Sequence, residues 1–216
     1  MRKRQLLGIV AAPIVLLAPA AAAAAAGADG GDFDARLRPI AHDSTADGGS
    51  NVTGHADMQL RGRNLTVDLR AKGLTPNEPH AMHIHGEVTA NNECPPASAD
   101  VNTGDPIDPS TFVAGTPDGL ISLAEGAPFY GPIDVSFTTT GDTSPGSGLT
   151  LERMPVASAA GTISYHRTIR IPLDVAKNMT NLHIVLHGAD LPADDDASSL
   201  SSLFEATLPV ACGQIR

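Results

Sequence analysis

ADMQLRGRNLTVDL, residues 56–69, sets the reading of the whole chain. Ala56, Met58 and Leu60 alternate with polar neighbours, residues 62–64 (GRN) turn the chain, and Leu65, Val67 and Leu69 alternate again. A period of two on both sides of a glycine-containing turn predicts an antiparallel hairpin with one buried face.

The same pattern extends in both directions. Upstream, Phe33, Ala35, Leu37 and Pro39 alternate with Asp34, Arg36 and Arg38; downstream, strand patterns occupy residues 131–139, 164–173, 181–188 and 205–215. Residues 86–128 are rich in Pro, Asp, Asn and Gly and predict a long irregular stretch, and DLPADDDASSLSS (190–202) predicts a solvated surface loop. Many short strands, no convincing amphipathic helical window and no internal repeat predict an all-β fold, an antiparallel sandwich or barrel with long irregular loops.

The chain opens MRKRQLLGIVAAPIVLLAPAAAAAAAG, a basic start followed by a short apolar run and alanines suited to a signal peptidase. This predicts a secretory signal peptide over residues 1–26, cleaved near Ala24 to Gly27, and a secreted or extracytoplasmic product. Residues 27–216 suit a single domain large enough to bury a proper core. No other segment is long and apolar enough to predict a membrane span after cleavage. The formal net charge is −10 and becomes more negative when Arg2, Lys3 and Arg4 leave with the signal, which disfavours nucleic acid and acidic membranes as partners. Cys94 and Cys212 are the two cysteines. In an oxidising compartment an even pair favours an intramolecular disulfide over free thiols or an intermolecular bridge.

HAMHIHGE (80–87) carries the chemistry. If the segment is extended, His83 and His85 share a face with Ala81, while His80, Met82 and Ile84 take the other. Two imidazoles on one face can converge on one ion, and imidazole suits both copper and zinc. A pair is too few for a site, and NLHIVLHG (181–188) offers His183 and His187. In a regular strand those two lie roughly 13 Å apart, so at most one joins the pair. His187 is the better candidate, at the end of an apolar run beside Gly188; His80 would support the site from behind. His42, His55 and His166 have no ligand-like neighbours and read as ordinary surface or hydrogen-bonded histidines.

The H-x-x-H-x-H of HAMHIH resembles the first copper-binding strand of the copper/zinc superoxide dismutase family. Cys94 follows nine residues on; IVLHGADL resembles the strand with the family's last copper histidine, and LPVACGQI its closing segment with the second cysteine. The match covers roughly residues 52–94 and 181–215. It implies a superoxide-dismutase-like Greek-key β-sandwich or barrel, one copper held by His83, His85 and His187, and a Cys94–Cys212 disulfide. If the protein is an enzyme, superoxide is the implied substrate.

The middle of the chain departs from the family. The bridging histidine expected a few residues after Cys94 is absent, with Asp100 at about its place, and no histidine occurs between His85 and His166, so the zinc ligands are missing. Pro209 stands where the family's active-site arginine lies, three residues before Cys212. The implied chemistry is copper without zinc. HIHGE and LHIVLHGADL are also similar to CHRD domains, which implies a non-catalytic secreted binding module as an alternative; extracytoplasmic copper buffering is a third reading of the same histidines. DGLISLAEG, from Asp118, matches the second half of a calcium loop, with Gly119, Ile121 and Glu125 in order. Ala114 and Thr116 fail the first half, so an acidic surface loop is the preferred reading.

Overall fold

A computed structural model describes residues 30–42, 51–87, 92–101, 119–191 and 203–216. The expected signal peptide (1–26), Asp118 and most of the acidic, serine-rich loop lie outside these residues. Eight strands are present among them: β1 (Gly31–Pro39), β2 (Thr53–Arg61), β3 (Asn64–Lys72), β4 (Met82–His85), β5 (Ile133–Ser136), β6 (Thr162–Arg170), β7 (His183–His187) and β8 (Pro209–Gln214). Three short helices accompany them: α1 (Leu123–Tyr130), α2 (Leu173–Lys177) and α3 (Leu203–Thr207).

The 56–69 stretch forms the β2–β3 hairpin, with Arg61 opposite Asn64 and Met58 opposite Val67. Gly62 opens the two-residue turn at φ 62°, a backbone conformation that glycine adopts without a Cβ clash. All strands pair antiparallel in one curled sheet of order β5-β4-β7-β8-β1-β2-β3-β6. The non-sequential neighbours β1·β8, β4·β7 and β3·β6 are Greek-key crossovers.

Alternation decides what the sheet encloses. Leu37, Ala56, Met58, Leu60, Leu65, Val67 and Leu69 point inward from β1 to β3 and join Met82, Ile84, Ile184 and Leu186 from the other half in one apolar core. Each of these Leu, Ile, Val and Met side chains contributes about 1.5–3 kcal/mol on burial. A smaller cluster of Ile40, Ala99, Ile121, Tyr130, Val185 and Cys212 lies outside the main core.

Three segments differ from the sequence expectation. Residues 123–130, which begin inside the stretch expected to be irregular and run two residues past its end, form α1, because Ser122 and Glu125 make a reciprocal capping box that satisfies the helix's first donors. The 164–173 pattern stops pairing at Arg170, and Pro172, which has no N–H for a ladder, begins the approach to α2. The expected strand at 205–215 starts only at Pro209, since 203–207 is helical.

Candidate metal centre

His83 and His85 project from one face of β4, while Met82 and Ile84, on the other, are part of the main core. On β7 the residue opposite His83 is Val185, and His183 lies opposite His85. The pairing of β7 with β8 shifts register between Leu186 and His187, and the pairing of β4 with β5 shifts between Ile84 and His85. Such irregularities re-aim side chains at strand ends. Here they accompany the convergence of His83, His85 and His187, whose ligand nitrogens all lie within 4.8 Å of one another. His183 is not part of the group.

Backbone carbonyls fix which nitrogen of each ring faces inward. A carbonyl oxygen only accepts, so a ring nitrogen bonded to one carries the proton. His83 donates from Nε2 to the Gly148 carbonyl at 2.9 Å, His85 from Nδ1 to Gly131 at 2.9 Å, and His187 from Nδ1 to Thr207 at 2.8 Å. The remaining nitrogens, Nδ1 of His83 and Nε2 of His85 and His187, therefore present lone pairs. Nδ1 of His83 is buried and has no hydrogen-bond partner among the described residues. The two Nε2 atoms face each other at 3.5 Å with no proton to share.

Burial keeps these rings neutral, the form that ligates a metal. Desolvation, reinforced by the neighbouring His187 and His85, holds His83 well below its ordinary 6.5. Desolvation and then His187 bring His85 down to about 3, and desolvation brings His187 to about 4.

His80 lies outside β4, with Nδ1 3.0 Å from the His187 carbonyl and Nε2 3.0 Å from the Thr75 carbonyl. It touches the main chain of a candidate ligand and contributes no nitrogen to the group. The Cys94–Cys212 disulfide is formed, with Cα atoms 5.7 Å apart. Cys212 lies opposite Val185, so the bond ties the segment around residue 94 to the sheet face that carries the histidines.

Other residues weighed from the sequence have structural partners. His42 donates from Nε2 to the Pro209 carbonyl and accepts from the Ile121 amide. His55 and His166 are exposed and pair with Asp57 and Asp68. Asp100 accepts from the Gly119 amide. Glu125 is buried, not part of an acidic surface loop, and its oxygens accept from the Ser122 and Val101 amides.

Sequence reasoning missed Tyr130. Its ring stands edge-on to His85 at 4.7 Å between centroids and 6.4 Å from His187, and its buried hydroxyl has no hydrogen-bond partner among the described residues. Burial pushes that phenol's pKa up. The carbonyl tethers at Gly131, Gly148 and Thr207 were missed too, because a main-chain oxygen carries no residue-type signal.

His83, His85 and His187 form a group that could hold a metal ion. A scan against protein-family models finds none that matches, and a search of curated proteins finds none either. The chemistry of the site is therefore argued from its own geometry. Nitrogens at roughly 2.0–2.1 Å from a shared ion lie within about 4.2 Å of each other. The His85–His187 pair is already within that limit, and the group needs less than about 1 Å of closure to satisfy it.

Proposed function

We propose that this chain is an exported protein of superoxide-dismutase-like fold that holds one copper ion through Nδ1 of His83, Nε2 of His85 and Nε2 of His187. The observation that carries the reading is the pair of lone pairs facing each other at 3.5 Å, each ring's proton being committed to a carbonyl. Two buried acceptors at that distance repel unless a cation stands between them. Copper is favoured over zinc on two grounds: copper(II) binds nitrogen sites more tightly than the other divalent first-row metals, and the histidine order resembles a copper strand.

When bound, copper supplies one-electron redox chemistry of the kind that dismutates superoxide. The chain's own residues hold the rings neutral, orient them through Gly148, Gly131 and Thr207, and exclude bulk water from the ligand atoms. With no bridging histidine in the sequence, any protons that peroxide formation needed would have to be delivered from solvent at the edge of the site. A second reading, copper buffering or a non-catalytic CHRD-like module, is favoured by the exposure of His83, His85 and His187, 1%, 2% and 3%. The replacement of the family's arginine by Pro209 points the same way.

Superoxide decay measured on the copper-loaded exported form and on His83→Ala separates the two. Decay that depends on His83 supports the dismutase. One bound copper without histidine-dependent decay leaves the buffering reading.

A further inference from the structure

Strand register gathers four cations at one end of the β1–β2–β3 face. Arg36 lies opposite His55, His55 opposite Arg70, and Lys72 opposite Thr53. Arg38 follows Arg36 by two residues and so shares its side of β1. All four cations are exposed, and together they line an open groove of about 620 Å³. On the middle strand His55 stands between Arg36 and Arg70, and Thr53 and Gly54 complete the lining between the two charged walls. Strand geometry sets those walls roughly 10 Å apart and the cations on one strand roughly 7 Å apart.

This positive cluster belongs to a chain of net charge −10. Among the described residues the ion pairs are His55–Asp57, Arg61–Asp32 and His166–Asp68, and none includes a groove cation. One step further along the strands the charge reverses: Asp34, Asp57 and Asp68 stand in register across β1, β2 and β3. The groove therefore ends against an acidic row.

We infer that this groove binds a short, multivalent oxyanion ligand, a chain bearing phosphate or sulfate groups at two or more points. Arginine matches such groups through its planar fork of donors, and lysine adds a point charge. A lone phosphate reaches one wall; a ligand with several anionic groups spans both. The acidic row sets the upper limit on length, because a long polyanion crossing the face would meet three aspartates. The inference does not depend on the metal centre, although Arg38, Cys212, Val185 and His83 follow one another across the sheet in a single row.

The test is calorimetric titration of the full exported chain with tripolyphosphate, sucrose octasulfate and inorganic phosphate at two salt concentrations. Tripolyphosphate or the octasulfate binds one per chain, more tightly than inorganic phosphate, and whichever is preferred identifies the anionic group. Arg36→Gln with Arg70→Gln weakens that binding at least about tenfold and flattens its salt dependence. Arg170→Gln, an exposed cation at the end of β6 outside the groove, leaves it unchanged. Circular dichroism of each variant checks the fold, and Lys72→Gln replaces the double variant if that one unfolds. Absence of binding by both multivalent probes, or an equal loss in Arg170→Gln, overturns the inference.

Discussion

Gly148 holds His83 in its ligating tautomer through a main-chain oxygen, at a position where an added side chain would crowd its neighbours. A Cβ there would stand 2.6 Å from Ile133 Cδ1 and 3.2 Å from the Pro145 carbonyl. Gly148→Ala is expected to shift the carbonyl, free the ring and weaken copper binding at least about tenfold, roughly 1.4 kcal/mol, with the far-ultraviolet circular dichroism unchanged. A competitive copper titration against a chelator of known affinity reads this, and an unaltered affinity would show that the tether is dispensable.

The same rings make the metal-free protein sensitive to acid. Unfolded imidazoles titrate near 6.5, whereas His187 and His183 are brought to about 4 and His85 to about 3, chiefly by burial. Between those values the unfolded chain binds more protons than the folded one. Stability is therefore full above about pH 6.5 and falls as the pH drops toward the folded values. Thermal melts of the apoprotein in buffers near pH 7 and near pH 4.5 should show the lower midpoint in acid; equal midpoints would contradict neutral burial of these histidines.

At the scale of elements, legibility follows how many faces a strand buries. β1, β2 and β3 bury one, so their residues alternate and the pattern was readable. β4 and β7 are buried at every position, which erases alternation and leaves histidine spacing and apolar runs as the cue. α1 is eight residues with Gly126 and Pro128 inside it, and its capping box was visible only as the tail of a calcium-like motif.

The loop between β5 and β6 was unreadable for another reason: its order comes from a polar network. Asp142 accepts from the Ser144 and Ser147 hydroxyls, and Arg153 donates to the Ser147 hydroxyl and to the Thr140 and Asp142 carbonyls. That network carries Gly148 to His83. The disulfide secures the opposite side of the site across a sequence separation of 118. Chain entropy gives an upper figure of about 4–5 kcal/mol for such a loop. Cys94→Ser with Cys212→Ser should lower the urea midpoint markedly without changing the strand content; an unchanged midpoint would show that the bond is not a stabilising element.

For the whole molecule, the two halves of one curled antiparallel sheet carry different side chains on the face away from the main core. The β4–β7 half presents neutral, buried imidazoles fixed by main-chain oxygens. The β1–β3 half presents exposed charge sorted into a cationic groove and an acidic row. Among the described residues no helix is long and apolar enough to cross a membrane. The hairpin and histidine strands gave the fold class and brought His83, His85 and His187 into view from sequence. The carbonyls that choose their tautomers, and the phenol of Tyr130 beside them, required coordinates.

The proposed site holds one copper ion on three neutral imidazoles. The decisive measurement is electron paramagnetic resonance of the chain without residues 1–26 after copper(II) loading and exhaustive dialysis. One copper per chain is expected, with nitrogen coupling that is lost or altered in each of His83→Ala, His85→Ala and His187→Ala, and retained in His183→Ala. No copper retained by the parent, or the same spectrum and stoichiometry in His187→Ala, would contradict it.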